Sequence, residues 1–247
     1  MSSSMTTLRS GAAGARPHRV FRRRYVWEWP IRIFHWTNAG CVFGLFATGL
    51  YIAHPVLTPE GEAWNHFVMA SARKIHFLLA YVFLVNFLWR SYWFWMGNEY
   101  ARSGFPYVWR PKWWADLVRQ GWDYLRLERG HIHLGHNPLG GLAYTIGVIG
   151  LGWLQMLLGF ALFSQTNPDG FWAVTAGWVI PLLGGAFPTL MWHHLLAWGF
   201  VVFTILHVYI VFYDGQQFKN GLVGSMISGE KFFQEGDVDD EPAPRSR

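Results

Sequence analysis

The chain has 247 residues, of which 52% are hydrophobic, 19% aromatic and 14% charged. A soluble domain carries about a quarter charged residues, so this composition excludes an ordinary soluble enzyme and points to a membrane protein; the 16 Trp agree, because indoles gather where lipid meets water. A net charge of +5 would suit a nucleic-acid binder, but the basic residues cluster beside apolar runs, where they set topology, and no nucleic-acid partner is expected.

Residues 1–24 read as a disordered, basic cytoplasmic tail. Arg22, Arg23 and Arg24 resemble a twin-arginine export signal, yet Glu28 and Pro30 interrupt the segment behind them and no small-residue cleavage site appears. The first apolar run is therefore expected to be a retained helix, from about Ile31 to Ala53, within a folded region spanning residues 25–233. It contains the single cysteine, Cys41, for which inert packing is expected. One cysteine excludes an internal disulfide framework and Cys-rich zinc or iron–sulfur sites, and no C-x-x-C-H motif attaches a haem covalently.

A second span is expected from about Ala72 to Met96. Beyond it a long basic loop carries Trp109, Trp113, Trp114, Leu117, Trp122 and Leu125 among Arg and Lys, the pattern of an amphipathic helix lying in the membrane surface. The third span, Pro138 to Phe163, and the fourth, Thr189 to Tyr213, have lengths suited to a core that needs roughly 20 residues. Between them Trp172 to Pro188 is apolar but short and broken by Pro181, Gly184 and Gly185, so it is expected to be interfacial or covered by a partner. Residues 234–247 read as a disordered acidic tail. The expected fold is all-α: an integral membrane four-helix bundle.

Orientation follows from Lys and Arg near the span ends. The N-terminal tail holds six Arg and no acid before Glu28, and the loop between spans two and three holds Arg102, Arg110, Lys112, Arg119, Arg126 and Arg129. The other two loops are poor in basic residues. Both termini are expected on the cytoplasmic side.

Ionisable residues inside a span are costly and usually functional. His35 falls near the cytoplasmic start of span one, and His76 near the external start of span two. In span four the fourteen-residue step from His193 to His207 is about 1,400° and roughly 21 Å, returning to nearly the same face at the other depth. The step from His194 leaves the two about 140° apart. His76 is therefore expected to pair with His193 at the outer end, and His35 with His207 at the inner end. Each pair would clamp one haem b iron between two imidazoles, making two haems in the bundle core. Zinc or copper is disfavoured, because no third ligand accompanies either pair. His194 is expected to face a neighbouring helix or the interface, His54 and His66 to lie in the external loop, and His18 in the tail. Gly40, Gly44 and Gly199 would let a macrocycle approach the backbone, although helix packing explains them equally well. Arg32, Arg73 and Lys74 are candidates to pair with haem propionates.

The stretches IRIFHW (Ile31–Trp36), ARKIHF (Ala72–Phe77), GHNPL (Gly135–Leu139), MWHHLLAW (Met191–Trp198), LHVY (Leu206–Tyr209) and SMISGEK (Ser225–Lys231) jointly resemble the b-type cytochrome subunit of membrane-bound, uptake nickel–iron hydrogenases. The resemblance covers about residues 25 to 233. It implies a di-haem b electron-transfer subunit of a hydrogen:quinone oxidoreductase complex in the bacterial inner membrane, with His35, His76, His193 and His207 as axial ligands. Its implied partners are a periplasmic iron–sulfur small subunit and a nickel–iron large subunit, with membrane lipid around it and quinone as electron acceptor. His133, His136 and Asn137, on the cytoplasmic side before span three, are candidates for the quinone site; Asn137-Pro138 alternatively just starts the helix. Two other functions stay open: a cytochrome serving another periplasmic oxidoreductase such as formate dehydrogenase, and a cofactor-free membrane anchor.

Overall fold

A computed structural model describes residues 21–56, 67–127, 133–218 and 221–234. His18 and His66, and most of the two terminal tails, lie outside the described residues. The order of elements is β1 (Phe21–Tyr25), α1 (Trp29–Ala53), α2 (Val68–Met96), a 3-10 turn (Glu99–Arg102), α3 (Pro111–Arg126), α4 (Pro138–Ser164), α5 (Phe171–Thr175), α6 (Val179–Leu182), α7 (Ala186–Phe218), α8 (Leu222–Ser228) and β2 (Glu230–Gln234).

Among the described residues, α2, α4 and α7 are long and apolar enough to cross a membrane. Their outward faces stay apolar and exposed, as Leu78, Val85 and Trp95 on α2 and Leu195, Val202 and Ile205 on α7 illustrate. Such faces suit a lipid surround, where helices associate by close packing rather than by hiding from water. The 25-residue α1 lies along α2, joined by the buried Asn86 amide, which donates to the Phe34 carbonyl at 3.1 Å. Phe34, Phe83, Phe87, Met156, Phe160 and Phe200 fill the core between these helices.

Helix α4 begins at Pro138 with the Asn137 side chain accepting from the Gly140 amide at 2.6 Å, an N-cap with proline in the first turn. Its Thr145–Gly150 stretch widens into a π turn. A β-carbon on Gly147 would fall 2.6 Å from the Phe203 ring, so this glycine admits Phe203 against α4. Positive φ at Gly184 and Gly185 turns the chain from α6 into α7. Helix α7 extends to Phe218, beyond the expected end at Tyr213.

The apolar piece before α7 folds as two short helices. Ala176 and Val179 seat in the core, and Trp172 stacks on Phe160 at 3.8 Å, while Phe171, Val174, Trp178 and Leu182 face outward. On α3, Trp114, Val118, Trp122 and Leu125 form an exposed apolar stripe at helical spacing.

The mostly helical fold carries one two-stranded ribbon that the sequence did not announce, and it takes in Phe21–Arg24 and Gln234 from the two segments read as tails: β1 pairs antiparallel with β2, Phe21 opposite Gln234 and Tyr25 opposite Glu230. The gain is a paired backbone at each chain end, tied further by Val26 and Trp27 amides donating to the Gly229 carbonyl at 2.8 and 3.0 Å. Glu28 anchors the strap to the end of α2, accepting from Trp93 Nε1 at 3.0 Å and the Asn98 amide at 2.8 Å. Short strands from opposite ends of a chain leave no periodic signal that outweighs a run of arginines.

Candidate haem-binding sites

The structure brings the four histidines of α1, α2 and α7 together as two couples. The His76 and His193 rings have centroids 6.5 Å apart, and those of His35 and His207 are 6.2 Å apart. His193 and His207 project from α7, so the one helix contributes a ring to both ends of the bundle.

At one end of the bundle, His76 and His193 line an apolar cavity of about 370 Å³ between α1, α2, α4 and α7. Two glycines make room beside the rings. A β-carbon on Gly49 would lie 3.3 Å from His76 Cε1, and one on Gly159 would lie 3.0 Å from His193 Cε1. These are not the glycines that the sequence singled out. Gly44 packs against Leu79 and Gly199 against Leu151, while Gly40 faces open space. A glycine that cradles a ring becomes distinct only once the helices are docked.

The Thr48 hydroxyl donates to the Gly44 carbonyl at 2.6 Å and lies 2.9 Å from His76 Nδ1. With its proton committed, Thr48 accepts from Nδ1–H, which leaves His76 Nε2 with a free lone pair. On the opposite ring, Gln155 Nε2 lies 3.4 Å from His193 Nε2, and His193 Nδ1 is buried without a hydrogen-bond partner. His194 also lines this cavity rather than facing only a neighbour or the interface. Arg73 lies on the cavity wall, whereas Lys74 is exposed and does not line it.

At the other end, Phe203 stacks on His207 at 5.8 Å with planes only 8° apart. The Phe203 ring is itself seated on Gly147 of the π turn. His35 Nδ1 is buried without a partner, and Trp36 packs edge-on against the His35 ring at 5.0 Å. Arg32 reaches the Ile227 carbonyl through Nη1 and the Tyr25 hydroxyl through Nη2 at 3.4 Å, while its Nε has no partner.

The donor sets fit haem. A bond from a first-row metal to an imidazole nitrogen is about 2 Å, and that nitrogen lies about 1.1 Å from its ring centroid, so two rings trans on one metal have centroids about 6.3 Å apart. Both observed separations are close to this value, and each couple includes buried ring nitrogen that no protein group satisfies. No cluster of three or more His, Cys, Asp or Glu suited to a metal ion occurs among the described residues.

Between α3, α4 and the strap lies a polar cluster containing two of the other residues singled out by the sequence. His136 is enclosed by Trp27, edge-on at 5.1 Å, and Tyr144, stacked at 5.1 Å. Its Nδ1 lies 3.0 Å from the Ser103 hydroxyl, and its backbone amide donates to that oxygen at 3.1 Å. Burial, then the Lys231 and Arg90 cations, push the imidazole down to about 3, so it is neutral. Asn137 donates to the Tyr124 hydroxyl at 3.2 Å, and Tyr124 donates to Asp214 Oδ2 at 2.7 Å. His133 contributes its backbone carbonyl, 3.5 Å from Lys231 Nζ. Sequence reasoning missed Arg90, Tyr124, Asp214 and Lys231; an arginine inside the second span was the one readable signal.

A family model described as prokaryotic cytochrome b561 matches residues 26–229. A protein of Azotobacter chroococcum named a probable Ni/Fe-hydrogenase B-type cytochrome subunit is 38% identical over 222 residues, covering 88% of this chain and 90% of its own. A protein of the same name from Cupriavidus necator is 36% identical over 220 residues, covering 88% and 90%. The corresponding Ni/Fe-hydrogenase 1 protein of Escherichia coli K12 is 31% identical over 220 residues, covering 87% and 93%. These agree with the family resemblance carried by the histidine-bearing motifs. The chain belongs to the prokaryotic cytochrome b561 family, as a membrane cytochrome of the b type.

Proposed function

We propose that this protein is the di-haem b subunit of a hydrogen:quinone oxidoreductase complex in a bacterial inner membrane. In this reading it anchors a periplasmic hydrogenase and passes the electrons of its iron–sulfur small subunit to quinone. The observation that carries the reading is the pair of imidazole couples at opposite ends of α7, each spaced for one bis-histidine iron. The relatives' names supply the hydrogenase.

His76 and His193 would hold the outer haem, and His35 and His207 the inner one. When bound, haem b supplies reversible one-electron chemistry, which suits transfer between a donor outside and a quinone inside. The protein's part is to orient the imidazoles through Thr48 and Phe203, to keep water from the core with its phenylalanines, and to offer charge near the propionates through Arg32 and Arg73, with the exposed Lys74 set off from the cavity. Helix α1 would be the fourth span, with both termini cytoplasmic and α3 resting its apolar stripe in the membrane surface. The outward row on α5 and α6 would then face the periplasmic partner. His136 and Asn137, with His133 beside them, would form the cytoplasmic quinone site.

The test is purification from membranes followed by a pyridine haemochrome assay and hydrogen-dependent quinone reduction. Two b haems per chain and a co-purifying hydrogenase are expected; formate-dependent but not hydrogen-dependent reduction would overturn the donor. Replacing His136 and Asn137 should slow quinone reduction with both haems retained, and unchanged rates would retire that site.

A further inference from the structure

Arg90 repeats on α2 the spacing that separates the two histidines of α7. It lies fourteen residues after His76, about 1,400° and roughly 21 Å along one helix, which returns it to the face of His76 at the level of the His35–His207 couple. Phe83, Asn86, Phe87 and Arg90 form the buried stripe of α2, and Arg90 is only 5% exposed. A charge inside an apolar bundle is costly unless it is paired. Among the described residues no carboxylate pairs with it.

The surroundings of the guanidinium connect it to both rings of that couple. Its Nη2 donates to the Ala101 carbonyl at 2.6 Å, using one of five N–H groups. The Phe34 ring, one residue before His35, has its centroid 6.0 Å from Arg90 Cζ, and the Tyr144 ring has its centroid 5.5 Å away. Tyr144 is one turn before Gly147, the seat of the Phe203 ring that stacks on His207. The Tyr144 hydroxyl is itself buried without a hydrogen-bond partner. Aromatic faces return only about 2 kcal/mol to a desolvated cation, against a burial cost of several kcal/mol. Arg90 and Tyr144 are thus buried donors in want of an anionic acceptor.

We propose that Arg90 and the Tyr144 hydroxyl anchor a propionate of the haem held by His35 and His207. The proposal rests on the di-haem reading of this protein. Haem b carries two carboxylates on one edge of its ring, so an iron fixed by this couple brings carboxylate chemistry to its surroundings. A guanidinium takes a carboxylate through two parallel N–H bonds, and the phenol adds an O–H. Two axial imidazoles leave the macrocycle free to rotate about the iron axis, and an anchored propionate removes that freedom. The cation beside the ring also favours ferrous over ferric iron and raises the haem's potential. Arg32 offers charge at the same end, but its Nη atoms are taken by the Ile227 carbonyl and the Tyr25 hydroxyl.

The test uses the purified holo-cytochrome, with haem counted by pyridine haemochrome, a redox titration and a resonance Raman spectrum of each variant. Arg90→Gln removes the cation. For the haem on His35 and His207 it should lower the ratio of reduced to oxidised iron at a fixed potential about tenfold, a fall of about 59 mV in midpoint potential. The haem on His76 and His193 should keep its value. Tyr144→Phe keeps the ring stacked on His136 and loses only the hydroxyl, so it should change the same ratio about threefold in the same direction. Both variants should move the propionate bending band to lower frequency, which a purely structural role would leave in place. Arg90→Lys keeps the charge without the parallel donors, so it should move the band while leaving the ratio within about twofold of wild type. It and Tyr144→Phe decide the matter if Arg90→Gln loses haem. Propionate bands unmoved in Tyr144→Phe and in either Arg90 variant would overturn the anchor, as would equal shifts in both haem potentials. A wild type with one haem would overturn the di-haem reading first, and the anchor with it.

Discussion

Thr48 lies one helix away from His76 and fixes which nitrogen of that ring is protonated. Its hydroxyl proton goes to the Gly44 carbonyl at 2.6 Å, so the 2.9 Å contact with His76 Nδ1 has Thr48 as acceptor. A hydrogen-bonded Nδ1–H makes the imidazole a more basic ligand and holds its orientation. Thr48→Val keeps the shape and removes the acceptor. Ferric iron gains most from a basic ligand, so the outer haem's midpoint potential should rise, on the order of 30–60 mV where about 59 mV is tenfold for one electron. Redox titration of the purified protein checks this, with the inner haem as internal reference. A downward shift, or a shift in the inner haem alone, would contradict the assignment.

Gly159 and Gly49 give a steric prediction. A methyl group at Gly159 would sit 3.0 Å from His193 Cε1, and one at Gly49 would sit 3.3 Å from His76 Cε1. Gly159→Ala should push the ring off its bonding line and lower outer-haem occupancy. Gly49→Ala should do less, because its neighbour needs to yield only slightly. Haem content should fall from two per chain toward one for Gly159→Ala, with the remaining haem showing the inner spectrum. Retention of two haems in both variants would mean that the rings have slack.

Much of this was readable in the order of residues, for a physical reason. Helical geometry is rigid enough that His193 and His207 had to return to one face of α7, and depth then chose partners on α1 and α2. Composition likewise marked α2, α4 and α7 as long and apolar enough to cross a membrane. What could not be read depends on docking between elements. Gly49 and Gly159 look like any helix glycine until a ring lies beside them. Lys231 sits in a charged C-terminal stretch where exposure is the natural expectation, and only pairing with Phe21–Tyr25 turns it inward. His194 failed the angle argument as a partner of His207, yet a wide cavity accepts it beside His193.

The strap supports the inner end, and Gly229 is its weak point. Gly229 has φ +84°, and a β-carbon there would fall 2.7 Å from the Trp27 carbonyl, while its own carbonyl holds the Val26 and Trp27 amides. Gly229→Val combines a left-handed conformation, which costs a residue with a β-carbon about 1–2 kcal/mol, with that collision. The strap should detach, releasing the Trp36 indole from the Met226 carbonyl and Arg32 from Ile227. Both bonds hold the turn of α1 that carries His35. Thermal release of the inner haem, followed at the Soret band, should occur at lower temperature while the outer haem is retained. Equal loss of both haems would show that the strap supports the bundle as a whole.

Acid should act on the same end through His136. Its folded-state value is about 3 against an ordinary 6.5, with burial as the main cause, helped by Lys231 and Arg90. Below 6.5 the unfolded chain therefore binds a proton that the folded chain refuses. The stabilisation is complete above about 6.5 and is lost progressively as pH falls toward 3. Over that window each pH unit should cost up to about 1.4 kcal/mol for this one group. His136→Gln removes the titration while leaving an amide for Ser103. Other groups titrate in both proteins, so the quantity to measure is the difference between their slopes of unfolding free energy against pH. The wild type should have the steeper acid loss. Parallel slopes would mean that His136 gains a proton without penalty, and that its enclosure between Trp27 and Tyr144 opens more readily than the packing implies.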